Sequence, residues 1–217
     1  AYEEDGDYGI VRNSNLEHIQ RNPIWQAKET VNNNEDKGLQ GNLYLTLDLF
    51  KGLQFTTRGS MDYSTRYTTI FTPGVSSYYG WEGSPINSVT KGHYETMHWI
   101  TDFLLNYDRT FANDHNVKAL LGYSLEESVY EDLTGTRPGT PTNEIRFLNA
   151  GDPDNQTNTN NYSDWAFTSL FGRLNYAYKQ KYLFTATVRR DGTSRLSQGT
   201  KYGIFPSASV AWRVSEE

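Results

Sequence analysis

FGRLNYAYKQKYLFTATVRRDGTSR, residues 171–195, decides how the rest of the chain is read. It predicts two strands joined by a very short turn at KQK. Successive side chains on a strand point to opposite faces. One face then carries Leu174, Tyr176, Tyr178, Tyr182, Phe184 and Val188, and the other Arg173, Asn175 and Arg189. The decisive question is whether the aromatic face meets a protein core or something outside the protein.

The same two-residue period recurs along the chain. In NLYLTLDLF, Leu43, Leu45, Leu47 and Leu49 share one face, and Asn42, Tyr44, Thr46 and Asp48 the other. FKG at 50–52 is a tight turn. The next strand sets Phe55, Met61 and Tyr63 against Gln54, Arg58, Ser60 and Asp62. Five more strands are expected near 92–110, 116–129, 165–178, 182–190 and 206–214. The helix signal is weak, with NLEHIQRN at most a turn or two. Residues 1–37 read as a long connection, with room for a small hairpin at NNNED.

Connections alternate in length. FKG, FANDHN and KQK are short; 65–91, 130–164 and 191–205 are long and rich in Gly, Pro, Ser, Thr and Asn. In an antiparallel meander, alternate connections lie at opposite ends. Short turns at one end and long loops at the other are the pattern of a transmembrane β-barrel, whose turns are periplasmic and loops extracellular. Tyr107, Tyr176, Tyr178, Tyr182 and Trp212 fall near the short turns, where an aromatic girdle meets the lipid–water boundary. The fold expected is therefore all-β: an antiparallel meander of about seven strands over 38–217, with the alternating connections of a transmembrane barrel.

Composition fits. Of 217 residues, 36% are hydrophobic yet 14% are aromatic, 16 of them Tyr. So many aromatics argue against disorder despite a mean hydropathy of -0.72. A barrel strand keeps half its side chains in a polar lumen, so modest hydropathy does not exclude a membrane. The net charge of -6 and the lack of a basic stripe exclude a nucleic-acid surface. Without cysteine there is no disulfide or thiolate site. The opening AYEEDGDYG has neither the basic start nor the apolar run of a signal peptide.

Residues 171–195, followed by YGIFPSASVAWRVSEE at 202–217, resemble the barrel signature of SusC/RagA-type TonB-dependent transporters. Phe171, Gly172, Arg173, Asn175, Tyr176, Tyr178, Arg189, Arg190, Asp191, Gly192, Ser194 and Arg195 match that pattern, as do Phe205, Pro206, Ser207, Trp212 and Arg213. Leu196, Tyr202 and Ala211 depart from it locally. The resemblance implies a barrel of roughly 22 strands, of which this chain would be a middle section, with signal peptide, TonB box and plug lying outside it. It also implies an importer of oligosaccharides or peptides in the outer membrane of a Gram-negative bacterium. That importer would work with a SusD-like surface lipoprotein and draw energy through TonB.

No enzyme is expected. His93 and His98 have odd spacing and face opposite ways, so they cannot share an ion, and no cofactor or metal is expected. GDPDNQTNTNNYSD at 151–164 lacks the spacing of a Ca²⁺ loop. Glu126 and Glu127 are adjacent and diverge, and nothing fixes a glycosidase-like carboxyl pair. Arg58, Asp62, Asp102, Arg173 and Arg189 are expected to face the lumen. Arg190 continues the outward row at the extracellular end and can reach lipid headgroups. Tyr78, Tyr79 and Trp81, with Glu82 and Asn87 nearby, are the candidate ligand contacts, since exposed rings stack on sugars. The alternative is a soluble carbohydrate-binding module or adhesin domain, in which the Leu43–Leu49 row would pack against a second sheet.

Overall fold

A computed structural model describes Ala27, residues 29–74 and residues 86–216. Seven strands occur in chain order: β1 Val31–Phe50, β2 Leu53–Thr72, β3 Ser88–Phe111, β4 His115–Pro138, β5 Thr157–Tyr178, β6 Tyr182–Thr193 and β7 Tyr202–Trp212. They form one sheet in the order β1-β2-β3-β4-β5-β6-β7, so each strand pairs with its sequence neighbours. This is an antiparallel meander. Among the described residues no second sheet lies against it. Leu43 is 83% exposed, and Leu45, Leu47 and Leu49 are also exposed. The packed leucine row that a soluble sandwich requires is not formed.

The short turns use left-handed backbone. Ala112 and Asn113 have φ of 47° and 62°, and Lys179 and Gln180 have φ of 50° and 55°. Each pair is closed by an N–H···O=C bond, Asp114 to Phe111 and Lys181 to Tyr178. Positive φ at both central residues is what a type I′ turn demands, here within a three-residue loop, since Tyr178 pairs with Tyr182. At Lys51–Gly52 only the glycine has positive φ, 84°. A side chain there would strike the carbonyl of Asp108.

Strands run further than the sequence pattern predicts. NNNED is part of β1 rather than a hairpin, and the expected connections 65–91, 130–164 and 191–205 contract to 73–87, 139–156 and 194–201. The reason is physical. Alternation marks a strand only where one face is apolar. Backbone pairing continues where both faces are polar, and there the periodic signal vanishes. NLEHIQRN lies outside the described residues.

The strands contribute to two compact units. The first takes the described residues up to Lys37, those between Thr65 and Glu95, and Glu131–Tyr162. Polar cross-strand contacts dominate it. Arg66 donates to both carboxylate oxygens of Asp36 at 2.6 and 3.1 Å. Thr68 donates to Asn34 at 2.7 Å, Lys91 to Thr69 at 2.8 Å, and Asn161 to both oxygens of Asp132. Phe71 and Val89 are fully buried, with the Arg146 guanidinium over the Phe71 ring. The second unit takes Gly38–Ser64, Thr96–Tyr130 and the residues from Ser163 on. It carries the segregated faces.

Candidate functional site

Strand register in the second unit sorts side chains by face. In β5–β6, Arg173 pairs with Thr187 and Asn175 with Thr185; in β6–β7, Thr187 pairs with Ser207 and Thr185 with Ser209. Directly paired residues point the same way, so these six share one face; Ala177, Leu183 and Ala211 continue it near the turn, and Phe171 and Phe205 flank Arg189 on it. The interleaved row is Leu174, Ala186 and Ala208, then Tyr176, Phe184 and Val210, then Tyr178, Tyr182 and Trp212. Val210 on that row is 81% exposed, and Val188, Tyr182 and Trp212 are exposed too. A large apolar face left open on a well-paired sheet marks an interaction surface rather than a core.

The polar face is cross-linked. Arg58 donates to Asp102 at 3.0 Å, and Ser124 donates to the other oxygen of Asp102 at 2.7 Å. Arg189 donates to Asp191 at 2.6 Å and to the Ser169 hydroxyl at 2.8 Å, while Ser169 itself donates to Asp191 at 2.6 Å. The Arg189 guanidinium also lies over the Phe171 ring, and Gly122 leaves the space that ring occupies. Arg173 and Asp62 are exposed and have no partner among the described residues. Such charge-assisted bonds fix their side chains more firmly than neutral ones, so the Asp102 and Asp191 clusters brace the sheet as well as charging it.

Sequence reasoning did not find two rungs between β3 and β4. His98 and Glu126 meet at 2.8 Å, and the Trp99 indole N–H donates to Glu127 at 3.1 Å. In an antiparallel pair each step along one strand is a step back along the other, so these contacts follow no fixed spacing in the sequence and are legible only once the β3–β4 pairing is known. Adjacent Glu126 and Glu127 serve different partners because neighbouring strand residues diverge. His93 stacks on Tyr67 at 4.6 Å, and His115 meets the Tyr176 hydroxyl at 2.7 Å. Among the described residues no three His, Asp or Glu side chains converge as metal ligands.

Of the candidate ligand contacts, Tyr78, Tyr79, Trp81 and Glu82 lie outside the described residues. Asn87 is 6% exposed. Its Oδ1 accepts from the Thr140 N–H at 2.7 Å, and its amide donates to the Thr140 carbonyl at 3.1 Å and to Asn143 at 3.3 Å. It stitches the connection after β4 to the start of β3, and its polar atoms are already committed there.

Aromatic residues on the apolar face lie at two levels. Tyr182 pairs with Trp212 near the short turn, and Gly192 pairs with Tyr202 ten register steps away. At about 3.3 Å per residue and a tilt near 40°, that separation is roughly 25 Å along the membrane normal, the height of the apolar band of an outer-membrane barrel.

Comparison with known proteins agrees with this geometry. The family model for "TonB dependent receptor-like, beta-barrel" matches residues 1–217. The chain is 31% identical to TonB-dependent receptor P3 of Formosa agariphila over 220 residues, which is 100% of this chain and 21% of that protein. It is 51% identical to TonB-dependent receptor SusC of Bacteroides thetaiotaomicron over 49 residues, 23% of this chain and 5% of that one. Among solved structures, the RagAB peptide importer in its closed-closed state superimposes with a TM-score of 0.83 at 18% identity, covering 94% of this chain and 23% of that one. The chain thus spans about a fifth of the length of the full-length curated relatives it matches.

Proposed function

We infer the function from the premise that the chain belongs to the TonB-dependent receptor β-barrel family, a family of outer-membrane transporters rather than enzymes. The chain supplies wall to an outer-membrane importer that moves its ligand without making or breaking a bond. The observation that carries this reading is the register of β5–β7. It sets Arg173, Asn175, Thr185, Thr187, Ser207 and Ser209 on one side, and Leu174, Tyr176, Phe184, Val210 and Trp212 on the other. A water-filled lumen requires the first set and lipid requires the second.

The ligand class we propose is an oligosaccharide or a peptide, taken up with a SusD-like surface lipoprotein and with energy from TonB. The likeness to SusC and to a peptide importer supports this pairing of ligand and partner. Tyr78, Tyr79, Trp81 and Glu82 are the proposed loop contacts, by the stacking and hydrogen-bonding chemistry of their side chains. Arg58, Asp62, Asp102, Arg173 and Arg189 are the proposed lumen charges.

The test is uptake by cells carrying or lacking the gene. They are offered labelled oligosaccharides and peptides, with and without a protonophore. Gene-dependent uptake abolished by the protonophore is expected, as is co-purification of a surface lipoprotein. Uptake unchanged by deletion across both ligand classes would overturn the reading.

A further inference from the structure

On the polar face of the second unit, one cluster is left open by the bonds that brace the sheet. Trp165 stands two residues before Phe167, which pairs with Thr193 on that face, so it points the same way. It is half-buried. The Arg195 guanidinium lies 5.0 Å from its ring centroid, and the His98 ring lies 6.0 Å away at 38°. His98 in turn meets one Glu126 oxygen at 2.8 Å. Four neighbouring segments thus give one group each: β3 an imidazole, β4 a carboxylate, β5 an indole, and the residues after β6 a guanidinium. Lys201 stands opposite Thr193, whose N–H donates to the Lys201 carbonyl at 3.0 Å, and so shares this face.

The Arg189–Asp191–Ser169 cluster on the same face is closed, because each of the three bonds the other two. The Trp165 cluster is not. Among the described residues the second Glu126 oxygen, the Trp165 indole N–H and the head groups of Arg195 and Lys201 have no hydrogen-bonding partner. No second sheet covers the indole either. A large ring on a water-facing wall, with unused polar groups around it, is built to pack on a ligand. The charges select which ligand. Arg195 and Lys201 are exposed and meet no carboxylate, while Glu126 is engaged by His98. The excess of positive charge calls for anionic groups. An acidic peptide brings carboxylates on flexible stems but no rigid C–H face for the indole. An acidic sugar chain satisfies every group. Its C–H face packs on the exposed part of Trp165, its carboxylate or sulfate meets Arg195, and a hydroxyl donates to the open Glu126 oxygen. Lys201 lies two strand spacings from β5, roughly 10 Å, and serves the next acidic group of the chain.

We propose that Trp165, Arg195, Glu126 and Lys201 form a binding subsite for an acidic oligosaccharide, one whose sugar rings carry carboxylate or sulfate. The proposal rests on the reading of this face as the import path, and it narrows the ligand from an oligosaccharide or a peptide to an anionic sugar chain. His98 is a positioning residue that holds Glu126 beside the indole. Arg195 lies within the stretch that resembles the transporter family. Trp165, Glu126 and Lys201 lie outside it, so the selectivity belongs to this chain.

The test uses the intact transporter, purified from outer membranes in detergent. Titration calorimetry measures its binding of tetragalacturonate and of the same tetramer methyl-esterified, of a sulfated galactose tetramer and of its desulfated form, and of tetraglutamate. At least one acidic sugar is expected to bind about tenfold or more tighter than its neutral partner, and tetraglutamate is expected not to bind. Lys201→Ala should narrow the acidic-to-neutral ratio several-fold. Trp165→Ala should weaken binding of the acidic sugar on the order of tenfold, and Trp165→Phe should recover part of that loss. Lys118→Ala, which removes a cation paired with Asp108 on the same face, should leave affinity and ratio unchanged. Equal binding of acidic and neutral partners, preference for tetraglutamate, no sugar bound, or a ratio unmoved by Lys201→Ala would each overturn the subsite. So would a Trp165→Ala protein that melts earlier but binds as before, since its ring would then be packing on protein. Gene-dependent peptide uptake without sugar binding would overturn the subsite and leave the importer standing. Absence of the unaltered protein from the outer-membrane fraction would overturn the importer reading itself, which separates the two failures.

Discussion

Asp152 closes its turn with one carboxylate: Oδ2 accepts from the Asn155 amide at 2.6 Å and Oδ1 from the Asp154 N–H at 2.9 Å. The Asn155 bond, then that from Asp154, holds the Asp152 carboxyl below its ordinary value. A depressed folded pKa contributes order that is fully present above the unfolded pKa and lost as pH falls through the folded one. Amide exchange at Asp154 should therefore stay slow at neutral pH and speed up only below the ordinary carboxylate range. Asp152→Asn should flatten that pH dependence, and an unchanged profile would count against the carboxylate's role. Asn87 acts on the same connection from the strand side. Asn87→Ala leaves the buried Thr140 N–H without its acceptor, a loss of about 1–3 kcal/mol. Faster proteolysis within 139–156, with the barrel still inserted, is the expected readout. The sequence placed Asn87 among ligand contacts because an Asn beside an aromatic loop looks the same whether its amide faces solvent or a backbone. Only the partner, 53 residues away, distinguishes the two.

At the level of strands and turns, the sequence disclosed the number and order of strands but not their length. The leucine row of β1 and the tyrosine rows of β5 and β6 are visible because one face is greasy. The stretch from Asn32 to Asp36 is invisible because Asn34 and Asp36 are matched by Thr68 and Arg66 rather than by lipid or core. The KQK turn was legible as a turn, yet its residue choice is unusual. Lys179 and Gln180 both hold positive φ, a region that costs a residue other than Gly, Asn or Asp roughly 1–2 kcal/mol. Replacing them with Asn and Gly, the pair that type I′ geometry favours, should stabilise the hairpin by about 1 kcal/mol or more. The urea midpoint of the barrel refolded into vesicles should rise. A fall would show that the Lys179 ammonium, which lies 5.6 Å from the Tyr178 ring centroid, matters more at the membrane boundary than the backbone does.

Across the whole molecule, the two rows of β5–β7 make opposite demands on the same substitution. Val188 lies on the apolar row, paired with Gly172 and Pro206; its neighbour Thr187 lies on the polar row, paired with Arg173 and Ser207. Val188 is six register steps from the Tyr182–Trp212 rung and four from Gly192–Tyr202, so it sits near mid-height of the apolar band. An arginine facing lipid at that depth costs about 2–4 kcal/mol, whereas one facing a wet lumen keeps its hydration. Val188→Arg should therefore reduce the folded fraction in the outer membrane and lower the urea midpoint in vesicles. Thr187→Arg should change neither by more than about 0.5 kcal/mol, beyond a modest effect from its like-charged neighbour Arg173. Adjacent residues, one substitution and opposite outcomes isolate the face as the cause, because backbone propensity and strand position are shared. If the two variants lost stability equally, the apolar row would be meeting protein rather than lipid, and the soluble module would regain its claim.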